Sequence, residues 1–155
     1  MLRGIYQKYF FWSFPAWLAI GSLVAGLLAY YLTSAILSRI TPRVPQPMAF
    51  REWVVPEYMV FGLIAGGILK LIFKEDSPMD IVGNNFLVFF AGLYTLGGLS
   101  IVSFFFHKWR LPAFVRILGY VFIFQVIFET VCAIGVLDIW FDFRKMKPTA
   151  PEPTA

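Results

Sequence analysis

One carboxylate sits deep inside an apolar run, and it poses the first chemical question about this 155-residue chain. Glu129 interrupts the stretch Ile117 to Leu137 and, in a helix, lies about 3 Å from its middle. If that stretch crosses a bilayer, a charge there costs about 2.5–3.5 kcal/mol on insertion scales. The side chain is therefore expected to face protein. It then serves either as a ligand, ion or proton site, or as a structural acid hydrogen-bonded to a neighbouring helix. Gln125, Glu129, Cys132 and Val136 recur at helical spacing and form one stripe. Lys70 falls about 4 Å from Glu129 in depth, within reach of a lysine side chain, or else it snorkels to the headgroups. Tyr94 and Thr95, at the middle of another apolar run, are further hydrogen-bond partners. Asn85, at the start of that run, completes the candidate set for a small solute, and an asparagine there also suits first-turn amides.

Other chemistry is sparse. His107 is the only histidine and Cys132 the only cysteine, so neither a histidine metal cluster nor an intramolecular disulfide can form within the chain. No phosphate-cradling glycine loop, HExxH or GxSxG is present. No catalytic residue, metal or cofactor is expected, and the chain reads as a non-enzyme. His107, beside Lys108 at the end of an apolar run, reads as an interfacial residue.

The elements that must position these groups follow from composition. Hydrophobic residues make up 59% of the chain and charged ones 14%, against roughly 45–50% and 25% in soluble domains. A chain this short has too little interior to hide that surface from water. The solvent must be lipid. The expected fold is all-α, a polytopic transmembrane bundle of four helices at about residues 13–37, 57–73, 81–106 and 117–141, in one domain over 1–145. Tyr9 to Ser38 holds no charge, and neither does Ile81 to Phe106. The second span is shorter and carries Lys70. Its Gly62 and Gly66 have the GxxxG spacing that permits close helix approach, although glycine is common in membrane helices anyway.

The basic N-terminus followed by a long apolar run reads as a retained signal anchor. Residues 39–56 hold four prolines and form a surface loop, and residues 146–155 read as a disordered tail. The net charge of +4 lies beside the apolar runs, which favours anchoring to a lipid bilayer over nucleic acid. Seven Lys and Arg fall on the side shared by both termini and six on the other. The basic residues flanking the last span place the termini in the cytoplasm, with the protein in a bacterial inner membrane.

Two motifs carry a family likeness. Phe50-Arg-Glu-Trp-Val-Val-Pro-Glu57 and Gly135-Val-Leu-Asp-Ile-Trp-Phe-Asp-Phe-Arg144 resemble the YybS-like bacterial membrane proteins, of which this chain matches the C-terminal half. The stretch from Asn85 to Gly98 fits the same pattern. By similarity, that family is grouped with the substrate-binding S components of energy-coupling factor transporters. Physically, Asp138, Trp140, Asp142 and Arg144 suit a helix end meeting water, with tryptophan anchoring and arginine favouring the C-terminus. The two carboxylates oppose that dipole and are expected to pair with Arg144, a basic loop or a partner. Arg51, Glu52, Trp53 and Glu57 bracket the other face as a lid or contact surface. The resemblance implies a transport component holding a small-molecule solute. The other reading is a scaffold or assembly factor bound to other membrane subunits or to copies of itself.

Overall fold

The computed structural model describes residues 10–40, 48–75, 77–126 and 128–144, and among them the side chains of all but 124–126 and 128. The expected tail and residues 41–47 of the proline-rich loop lie outside these residues. Five α-helices are described: α1 Phe14–Ile40, α2 Val60–Ile72, α3 Pro78–Lys108, α4 Ala113–Val126 and α5 Phe128–Phe141. Short 3-10 turns at Phe50–Glu52 and Glu57–Met59 precede α2. No strand occurs among the described residues.

Length divides the helices into two kinds. At 1.5 Å per residue, α1 and α3 extend about 40 and 46 Å, more than a hydrocarbon core of about 30 Å requires. Both are apolar enough to cross a membrane. The second expected span is only 13 residues long as a helix, about 20 Å. The fourth expected span is described over residues 113–126 and 128–141, 14 helical residues in each. Among the described residues, two helices are individually long enough to cross.

Local signals set the boundaries. Ser77 Oγ accepts the Asp80 N–H at 3.1 Å, and Pro78 fills the first helical position where its missing N–H costs nothing. α3 therefore begins before residue 81. Pro112 stands one residue ahead of α4, where its C=O accepts the Arg116 N–H at 3.1 Å. The end of α3 is a Schellman turn: Arg110 N–H donates to His107 C=O at 3.0 Å and Leu111 N–H to Phe106 C=O at 3.1 Å. Arg110 occupies the left-handed position, φ 51°, where glycine is the usual residue.

The residues group into two compact units, Met1–Leu93 and Tyr94–Ala155, with the division inside α3. In the first, α2 packs on the start of α3 through glycine. A Cβ on Gly66 would stand 2.9 Å from Leu87 N, and one on Gly83 would stand 3.0 Å from Gly66 O. Gly62 abuts the Phe90 ring, whereas Gly67 faces open space. In the second unit, Gly98 packs on Val131 and Gly135 on the Tyr94 carbonyl, again leaving no room for a Cβ. Phe106 meets Tyr120 edge to face at 5.4 Å and covers Gly119.

Candidate functional site

The polar residues of the second unit gather at the end of α5. Asp138 lies on the face of α5 that is buried with Val131 and Gly135. Beyond Phe141 the backbone turns left-handed at Asp142, φ 40°, and the next two residues fold back. Phe143 N–H donates to Asp138 Oδ1 at 2.9 Å. Arg144 then closes the turn. Its Nη2 lies 2.7 Å from Asp138 Oδ2, and its Nη1 donates to Ser100 Oγ at 2.8 Å. The Arg144 and Asp138 side chains are 2% and 10% exposed, so the pair is buried rather than part of a solvent-facing belt. Trp140 on the same helix is exposed. A charge pair taken out of water needs good geometry and extra hydrogen bonds to be tolerated. This one has both.

Nearby, Tyr94 is fully buried and Thr95 nearly so. Thr95 shares a hydrogen bond with Cys132, while the Tyr94 hydroxyl has no hydrogen-bond partner among the described residues. Glu129 is exposed. The interior stripe of α5 is Val131, Gly135 and Asp138, so the stripe expected through Gln125, Glu129, Cys132 and Val136 is rotated partly outward. The side chain of Gln125 lies outside the described residues.

The first unit holds two further polar clusters. Lys70 Nζ lies 3.3 Å from Asp80 Oδ1, and the Asp80 side chain is almost wholly buried. Asp80 was legible as the fourth residue of Ser-Pro-Met-Asp, a capping signal, but not as a partner for Lys70. Asn85 repairs a helix other than its own. Its Oδ1 accepts the Ala16 N–H at 3.1 Å and its Nδ2 donates to Trp12 C=O at 2.7 Å and Ile81 C=O at 2.9 Å. In an unbroken helix Trp12 and Ala16 would bond each other, and here the carboxamide bridges them beside Pro15, which has no N–H to offer Phe11. Asn84 donates to Ser13 Oγ at 2.6 Å. Asn85 thus has a structural task. Before α2, Arg51 and Glu52 form a half-exposed pair at 3.4 Å, Trp53 is half-buried and Glu57 exposed.

Long apolar helices, glycine-mediated helix contacts and a buried ion pair, with no strand among the described residues, point to a helical membrane protein. The chain belongs to the family described as Predicted membrane protein (DUF2232), whose model matches residues 2–139. It is 25% identical over 136 residues to the Uncharacterized protein YybS of Bacillus subtilis (strain 168), covering 84% of this chain and 43% of that protein. The chain therefore spans less than half the length of the curated relative it matches. No solved structure matches it.

Proposed function

We propose that this chain is a multi-pass protein of the bacterial inner membrane, acting as one component of a larger membrane assembly. The observation that carries this reading is the exposure of Glu129 on α5, beside exposed Thr130, Ala133 and Leu137. A carboxyl facing lipid is costly, so a protein surface is its natural cover. The greater length of the relative agrees with a half that works beside further helices. In this reading α1 and α3 each cross once, α2 crosses together with the turn before it, and α4 and α5 share a fourth crossing.

A photo-crosslinking amino acid placed at Glu129 tests this. In native membranes it is expected to give one discrete protein adduct, while the same probe at Leu71, 87% exposed, gives none. Adducts to lipid alone at both positions overturn the assembly reading.

The second reading is a solute-binding transport component, drawn from the likeness to energy-coupling factor S components. The Tyr94 hydroxyl favours it, since a buried hydroxyl can bond a solute. The close approach of Gly98 and Gly135 to opposing backbone weighs towards a packed helix pair instead. Native mass spectrometry of the purified protein separates the two, because a transport component retains a small molecule that Tyr94→Phe releases.

A further inference from the structure

A cavity of about 320 Å³ opens at the end of α3, lined by Phe106, His107, Arg110, Leu111 and Arg116. We propose that this cavity binds the phosphate group of an anionic phospholipid headgroup. Three of its five lining side chains are nitrogen donors, and two of them are guanidiniums, whose planar forks suit phosphate oxygens. No acidic residue occurs anywhere between Asp80 and Glu129, so the segment supplies no carboxylate of its own to this cluster. Arg116 sits in the first turn of α4, the end of a helix where a cation is disfavoured and an anion favoured. Its Nε is buried without a hydrogen-bond partner among the described residues. Arg110 holds a left-handed backbone conformation that would suit glycine better, and that conformation places a guanidinium at the cavity.

The surroundings select lipid as the source of the phosphate. Trp109, Phe114, Ile117 and Leu118 are exposed by 64%, 73%, 65% and 59%, an apolar border adjoining a basic site at the end of a membrane-length helix. Tryptophan at such an end marks headgroup depth, and basic pockets at that depth take anionic headgroups.

The test uses the full chain in a neutral detergent, titrated with phosphatidylglycerol, phosphatidylcholine or inorganic phosphate and read by native mass spectrometry and thermal unfolding. Phosphatidylglycerol is expected to bind at least tenfold more tightly than phosphatidylcholine. Arg110→Gly, which keeps the left-handed turn, and Arg116→Gln should each weaken that binding about fivefold or more, while Arg51→Gln leaves it unchanged. If Arg116→Gln unfolds the protein, Arg110→Gly alone decides. Equal binding of the two lipids, wild-type affinity in Arg110→Gly, or an equal loss in Arg51→Gln overturns the site. Inorganic phosphate displacing phosphatidylglycerol at comparable concentration overturns lipid as the source.

Discussion

At the scale of single residues, the strongest consequences attach to side chains that bridge helices. Asn85 satisfies the Ala16 amide and the Trp12 carbonyl together. Asn85→Ala should therefore cost about 1–3 kcal/mol, the range for leaving such groups unmatched, measurable as a lower unfolding midpoint in detergent. The Asp138–Arg144 pair obeys a different rule. Removing one partner leaves a buried charge, so Arg144→Met or Asp138→Leu should each destabilise by about 3–5 kcal/mol. The double substitution should cost less than either, which a double-mutant cycle reads directly. A simple sum of the single effects would mean the two side chains act independently. Both motifs stood out in the sequence, and Arg144 was among the partners expected for Asp138, but the partners on other helices did not stand out. Asn85 and Ala16 are 69 positions apart, and Arg144 and Ser100 are 44 apart, distances over which no local pattern carries information.

Among elements, glycine decides which helix faces touch. Gly62 and Gly66 both pack on α3 while Gly67 faces open space, so the GxxxG spacing marks a contact and its neighbour does not. Gly135→Ala should push α5 off the Tyr94 carbonyl and destabilise the protein by about 1–3 kcal/mol, as overpacking does. Gly67→Ala meets no atom within 4 Å and should gain up to about 1 kcal/mol from helix propensity. Comparing the two unfolding midpoints checks the assignment, and a loss in both would show that glycine is needed for backbone flexibility rather than close approach. Helix ends were partly legible from local residues. Ser77, Pro78 and Pro112 announce the starts of α3 and α4, whereas a left-handed Arg110 has no sequence signal, and Asp142 has only the weak one that aspartate is enriched in that conformation.

For the molecule as a whole, the open quantity is the number of crossings. Four crossings put residues 10 and 144 on one side, with the 74–77 turn. Single cysteines introduced into a Cys132→Ser background, probed with an impermeant maleimide on intact cells, should report those three positions alike and positions 49 and 109 oppositely. Agreement between 49 and 75 would show that α2 does not cross. The sequence by itself determined the membrane environment, the all-helical class and the family, because apolar composition and long uncharged runs are properties a chain carries before it folds. Only the tertiary structure decided that Lys70 pairs with Asp80, that Arg144 turns back onto Asp138 and Ser100, and that Glu129 faces outward. The physical reason is that helical periodicity fixes which residues share a face, while a rotation of one position along the helix, about 100°, decides which face is buried. That rotation is set by the glycines that let α3 and α5 meet, not by the acid.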